Sequence, residues 1–281
     1  MPCRPQPRAA REFGPEEECS DSMVTANTWA QQVDLRVLVE AGLGRRATVV
    51  EWGCGVGEFA RLLSRFVGPE GRVIGVDTSA FAITRARELA SQEGLENLTF
   101  EVGSLCRSRL APDLAHACVA RQVLGRIDAP EEVVKEMVRV ASPGGIVAVA
   151  DDDEGLAVYD PEPHALAELR ALLARRRLAM GGSKAAGRSL FRLLFGAGLE
   201  GVRVVVSTAN STDPEWSQTR DPAGWLAELS KVVRDLVDEN AATPEEAARY
   251  GRAVQELLKN PQSFVCVSRL VAYGRRPLRC A

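Results

Sequence analysis

The strongest constraint on how this 281-residue chain folds is an alternation. Short apolar runs at Thr48 to Val50, Val73 to Val76, Leu98 to Val102, Ala115 to Ala120 and Ile146 to Ala150 are separated by segments whose apolar residues recur with helical period. Runs so short and so continuously apolar are strands buried on both faces, and a series of them with helices between makes a parallel sheet. Right-handed crossovers then wind the helices onto both sides of it. The first intervening helix puts Phe59, Leu62, Leu63 and Phe66 on one face. The second starts at a Ser79 cap and stops at Gly94, and a later one turns Val133, Met137 and Val140 inward before Pro143, Gly144 and Gly145.

After Ala150 the pattern changes. The stretch from Asp151 to Arg177 and "GSKAAGRSLFRLLFGAGL" read as helices, and "GVRVVVST" as a strand. A helical pair follows at Pro222 to Asp238 and Pro244 to Lys259, the second capped by Thr243, and "SFVCVSRLVAYGRRP" reads as a closing strand. Residues 1–25 are expected to be a mobile extension. Residues 26–281 are expected to form one domain, with helical insertions at about 156–192 and 222–259 covering a substrate.

Composition narrows the function. A formal net charge of -3 makes no field for a nucleic acid or an anionic membrane, and no apolar run reaches the roughly 20 residues that span a bilayer. The N-terminal "MPCRPQPRAAREFGPEEECSD" has charge and proline without an apolar centre, so neither a secretion signal nor an anchor is expected there. Seven cysteines form no CxxC pair and no Cys/His cluster. They read as reduced thiols of a cytoplasmic protein with no metal site.

The stretch "VVEWGCGVGEF" carries the chemistry. Its glycines, Gly53, Gly55 and Gly57, have G-x-G-x-G spacing, whereas a dinucleotide loop needs G-x-G-x-x-G. Glu58 stands where the third glycine would be, and its charge would repel a pyrophosphate. No GK[ST] follows, which excludes a Walker loop. The ligand is therefore one without a pyrophosphate.

With "VIGVDTS" after it, this stretch resembles the first two motifs of the class I S-adenosylmethionine-dependent methyltransferases, and the domain is similar to their type 11-like, small-molecule branch. "LTFEVGSL", "ARQVLGRIDAPEEVVKEMVRVASPGGIVAVADDD" and the last strand are similar to later parts of that family, so the likeness runs from about Leu35 to Pro277. It implies a Rossmann-like, doubly wound, mostly parallel seven-stranded sheet with an antiparallel last strand and helices on both faces. It further implies S-adenosylmethionine as cofactor, held by Glu51, Gly53, Gly55, Gly57, Asp77, Thr78, Gly103, Ser104, Leu105 and Arg121. Glu51 ends the first strand and would balance the methionine ammonium, and Asp77 ends the second and would accept the ribose hydroxyls. The family often has an acid after the glycine of its third motif; here Ser104 takes that place, a weaker acceptor for the adenine amino group.

For the substrate, Gln122 at the end of the fourth strand, Trp29 near the start and Asp152 in the "DDD" cluster are the candidates. Arg121 could instead sit in a surface ion pair, and Trp29 with Gln31 and Gln32 is expected ahead of the first helix. A sulfonium carries an activated methyl group, so alignment and water exclusion suffice for in-line transfer, and no catalytic group is assigned. His164 and Asp151 are the candidates for a base if one is needed; His116, inside an apolar strand, reads as a core histidine. The resulting expectation is methyl transfer to a small molecule by a monomer or homodimer with no nucleic-acid or membrane partner. Two alternatives stay open: other S-adenosylmethionine chemistry such as ring closure, and a non-catalytic binding partner.

Overall fold

The computed structural model describes residues 28–179, 186–213, 232–238 and 240–278. Residues 1–25 and 222–231 of the expected extension and helical pair lie outside the described residues.

The first helix, α1 (Thr28–Glu40), leads into β1 (Thr48–Trp52), α2 (Glu58–Val67), β2 (Arg72–Asp77), α3 (Ala80–Gln92), β3 (Leu98–Val102) and β4 (Ala115–Arg121). Then come α4 (Pro130–Val140), β5 (Ala141–Asp152), β6 (Val158–Asp160), α5 (His164–Ala179), α6 (Ala186–Gly196) and β7 (Glu200–Asn210). A helical segment at 232–238, α7 (Pro244–Lys259) and β8 (Phe264–Arg275) complete the described order. Sheet order is β3-β2-β1-β4-β5-β8-β6, with β7 also paired to β8. β1 to β5 are parallel and β8 runs antiparallel to its neighbours, giving the doubly wound, mostly parallel sheet implied by the sequence.

Adjacent residues of each strand feed opposite cores, which is why the strands read as unbroken apolar runs. Val50, Trp52, Ile74 and Cys118 pack with α4 and α6, including Val133, Met137, Leu190 and Leu194. Val49, Val73, Ala117 and Val119 pack on the other side with Phe59, Leu63, Ile83 and Ala86 of α2 and α3. Helix boundaries follow local chemistry. Ser79 Oγ accepts from Ala82 N–H at the start of α3, and Thr243 and Glu246 form a reciprocal capping box on α7.

Three sequence expectations change. The stretch after Ala150 is not one helix: β5 runs on to Asp152, a 3-10 turn follows at Glu154–Leu156, and β6 adds an eighth strand against Phe264 to Cys266 of β8 before α5 begins at His164. An acid run with helix-compatible residues imitates a helix start, but β8 extends past the end of β5 and offers an open edge there. His116 is exposed rather than core; it lies at the opening of β4, where its Nδ1 accepts from Thr48 N–H at 2.9 Å. Trp29, Gln31 and Gln32 lie within α1 rather than ahead of it.

A second, smaller core lies beyond the carboxyl end of the sheet. Leu169 of α5, Val233 and Leu236 of the 232–238 segment, and Ala247 and Tyr250 of α7 form one cluster. Leu166, Val254 and Leu257 join β8 through Val265 and Val267 in another. Among the described residues no helix is long and apolar enough to cross a membrane.

Candidate functional site

The carboxyl ends of β1, β2, β3 and β4 bring the sequence-predicted residues to one edge. The β1-α2 loop is fixed first: Gly53 and Cys54 N–H both donate to Val76 O of β2, at 2.7 and 3.1 Å. Its three glycines serve different ends. A side chain at Gly53 would strike Val123, and one at Gly57 (φ +77°) would strike Phe100 at 2.5 Å. Gly55 (φ +53°) has nothing within 4 Å of where a Cβ would be, so its backbone faces open space. Of the three, Gly55 is the one shaped for a ligand to lie against.

Asp77 closes β2 beside that loop. Its carboxylate accepts from Gly55 N–H at 2.8 Å and from Ser79 N–H at 2.9 Å. A carboxylate has about four acceptor positions, so capacity remains for a pair of hydroxyls. Next to it, Gly103 N–H donates to Asp77 O at 2.9 Å, and Ser104 Oγ accepts from Cys106 N–H at 3.3 Å. Thr78 and Ser104 are exposed, and Leu105 is half-buried and packs against the core. Val102 pairs with Asp77 in register and is 49% exposed, an apolar surface at the rim that sequence reading missed. Its sign in the sequence is an apolar residue ending a strand with no apolar partner beyond it.

Glu51 is the unusual group. It is 2% exposed at the end of β1, and its Oε2 has no hydrogen-bond partner among the described residues. Burial pushes its carboxyl from 4.5 up to about 8; Arg121 works against this, Asp77 and Glu58 add to it, and a bond from the Ala60 backbone opposes it. A buried carboxyl with one oxygen unbonded is held in its neutral form by this burial, and a cation placed beside it would stabilise the charged form.

Arg121 and Gln122 follow at the end of β4. Arg121 is in an ion pair, but a buried one: Nε donates to Asp34 Oδ2 of α1, the side chain is 9% exposed, and the guanidinium lies 4.3 Å from the centre of the Phe59 ring. Asp34 also takes a fork from Arg269 of β8, at 3.0 and 2.6 Å, and Arg269 reaches Asp152 at 3.0 Å. Gln122, with φ +54°, donates from its amide to Asp152 Oδ2 at 3.0 Å. Asp34 and Arg269 were not legible as functional residues, since they stand 235 positions apart. Gln31 of α1 donates to Glu58 Oε2 at 3.1 Å, a further tie to the loop.

The "DDD" acids divide their work. Asp151 is buried, accepts from Gly125 N–H at 3.0 Å and from Asp152 N–H at 3.1 Å, and is raised by that burial. It anchors the loop after β4. Asp152 is half exposed, and Asp153 is buried under a bidentate Arg188 of α6 at 2.6 and 2.8 Å. His164 stands at the start of α5 with its side chain 85% exposed, 3.2 Å from Glu168. Trp29 packs between the α5-α7 cluster and the cluster of Val33, Val37 and Val271. Among the described residues no group of three or more His, Cys, Asp or Glu could hold a metal ion.

Open backbone at Gly55, a two-acceptor acid at Asp77 and an unmatched buried acid at Glu51 fit a ligand with a sugar diol and a cationic end. S-Adenosylmethionine is such a ligand. Comparison with known proteins places the likeness in the same half of the chain. Residues 43–182 match the family described as methyltransferase domain. An arsenite methyltransferase of Halobacterium salinarum is 32% identical over 111 residues, which is 40% of this chain and 28% of that protein. More generally, the chain spans about half or less of the length of the first curated relatives it matches. Among solved structures, Haemonchus contortus phosphoethanolamine N-methyltransferase 2 in complex with S-adenosyl-L-methionine superposes with a TM-score of 0.58, at 17% identity over 98% of this chain and 61% of that one. The [4+2]-cyclase SpnF superposes with a TM-score of 0.56, at 19% identity over 92% of this chain and 86% of that one.

Proposed function

We propose that this chain, whose residues 43–182 match a methyltransferase domain, is an S-adenosylmethionine-dependent methyltransferase that transfers a methyl group in line to a small-molecule acceptor. The observation that carries this reading is Glu51, buried at the head of an open glycine loop with an unbonded oxygen. Glu51 would meet the ammonium, Asp77 the ribose hydroxyls, Gly55 the backbone-facing side, and Val102 with Ser104 the adenine. When bound, S-adenosylmethionine supplies a methyl group already activated by its sulfonium. The chain's own task is then to align an acceptor and exclude water, tasks that need no covalent help.

Gln122 is the proposed contact to the acceptor, with Asp152 and Trp29 behind it. Asp152 is engaged by Arg269 and Gln122, and Asp151 holds Gly125, so neither is offered here as a base. The fold of SpnF supports keeping ring closure as a second reading, since the same architecture carries a reaction other than methyl transfer. The helical layer of α5, 232–238 and α7 is the proposed cover of a single domain that includes the insertions. We place the protein in the cytoplasm as a monomer or homodimer without nucleic-acid or membrane partners, supported by free thiols at Cys54, Cys118 and Cys266 and a formal net charge of only -3.

Calorimetric titration with S-adenosylmethionine, S-adenosylhomocysteine and NADH tests the reading. Micromolar binding of the first two without NADH is expected. Binding of none of them would overturn it. Formation of S-adenosylhomocysteine in equal amount with a methylated acceptor separates methyl transfer from ring closure.

A further inference from the structure

Four charged side chains and one amide form a chain across the top of the sheet. Asp34 and Arg269 are each 1% exposed and Arg121 is 9% exposed; only Asp152, 51% exposed, reaches solvent. Two carboxylates and two guanidiniums balance, which is the condition for keeping such charges out of water. Asp34 is the junction. Its carboxylate receives the Arg269 fork and the Arg121 Nε together.

Each branch ends at the proposed site. Along one, Arg269 holds Asp152, and Asp152 takes the amide hydrogen of Gln122. A carboxylate only accepts, so the Gln122 amide nitrogen is turned to Asp152 and its oxygen is the acceptor left for a ligand. The backbone of Gln122 is in the left-handed region at φ +54°, a conformation that a non-glycine residue keeps only where its surroundings hold it. Along the other branch, Arg121 stacks on Phe59, the second residue of α2, directly after the glycine loop. Arg121 also acts electrostatically on Glu51, and its Nη2 is buried with no hydrogen-bond partner among the described residues.

We propose that Asp34 of α1 is a positioning residue: its one carboxylate sets Gln122 through Arg269 and Asp152, and the glycine loop through Arg121 and Phe59, so that cofactor binding requires α1 to be docked. This rests on the cofactor reading given above. Asp34 touches no ligand in this account; it acts through the two arginines. Gln31, bonded to Glu58, lies one helical turn earlier on α1 and strengthens the same attachment.

The test compares wild type, Asp34→Asn and Asp113→Asn as full chains. Asp113 pairs with Arg276 at 2.6 Å just before β4, at the amino end of the parallel strands, opposite the proposed site. Hydrogen exchange by mass spectrometry on unliganded protein is expected to speed up in Asp34→Asn over residues 28–40 and 121–126 and to stay unchanged over 72–92. S-Adenosylhomocysteine affinity in that variant should fall by about tenfold or more, equivalent to about 1.4 kcal/mol. Asp113→Asn should lower the melting midpoint and leave affinity as in wild type. If Asp34→Asn does not fold, Asp34→Glu keeps the charge and moves the carboxylate by one methylene, and the same outcomes apply to it.

Unchanged local exchange, wild-type affinity in the Asp34 variant, or an equal loss in Asp113→Asn overturns the proposal. A wild-type protein that binds no S-adenosylhomocysteine overturns the site reading and this proposal with it. That result is distinct from a wild type that binds and an Asp34 variant that binds equally well.

Discussion

Replacing Glu51 by Gln tests the site through stability, before any substrate is known. Burial lifts the folded carboxyl to about 8, against 4.5 when exposed. The folded state therefore holds this proton more tightly than the unfolded chain does. Stability from the group is fully present below about 4.5 and is lost as pH rises through about 8. The loss accrues at about 1.4 kcal/mol per pH unit across that window, so by pH ~7 it reaches about 3 kcal/mol. Glutamine does not titrate and escapes it. Its buried NH2 group adds a pH-independent cost of about 1–3 kcal/mol for the unmatched donor. The informative quantity is thus the change in the difference between the two proteins, which should swing by about 4 kcal/mol in favour of Glu51→Gln between pH ~5 and pH ~8. Urea denaturation of the unliganded proteins across that range measures it. A difference constant to within about 1 kcal/mol would refute the argument, because the buried carboxyl would then not be titrating as its surroundings demand. The same reasoning fixes the sign for the ligand. A bound ammonium pulls Glu51 to its charged form, so binding at pH ~7 should release about one proton, read as a buffer-dependent enthalpy that Glu51→Gln abolishes.

Three other outcomes are expected. Asp77→Ala should weaken S-adenosylhomocysteine binding by at least about tenfold in calorimetry, since it removes the proposed diol acceptor and frees Gly55 N–H and Ser79 N–H; unchanged affinity would sink that assignment. Gly57→Ala should lower stability by about 1–3 kcal/mol by chemical denaturation, because φ is +77° and the new methyl would meet Phe100 at 2.5 Å. Asp153 is held below the usual carboxylate range by its bonds from Arg188, so its contribution is present above about 4 and is lost as pH falls further; Asp153→Asn should flatten the acid side of the stability profile, and an unaltered acid limb would contradict it.

The parallel strands were legible because each carries a short, mostly apolar run between two segments of helical period. Val49 and Val50 point into different cores, and a run without alternation says as much. His116 misled because it sits at the mouth of an apolar strand, where one position opens to solvent before the run is buried. β6 was missed for a different reason: a three-residue strand exists only because β8 extends beyond β5, and that is a fact about a segment a hundred residues away. At the site, Glu51, Gly55 and Asp77 could be read from spacing within one βαβ unit. Asp34 and Arg269 could not, since no local pattern marks either as the partner of the other. Their pairing is created by α1 packing on β8, where the two elements are in contact.

The late arrival of β8 has a consequence for how the protein is made. Chains emerge from the ribosome at about 5–20 residues per second, and contacts far apart in sequence close last. β5 can lie beside β4 early, but its outer edge stays bare until Phe264–Arg275 has been synthesised, and Asp34, which can meet Arg121 sooner, waits for Arg269, 235 residues downstream. From the completion of β5 until β8 emerges, the nascent chain thus exposes an unpaired, strongly apolar strand edge and an Asp34 that still lacks its fork from Arg269. That interval is when chaperone protection matters, and when a pause before residue 264 would be most costly to yield.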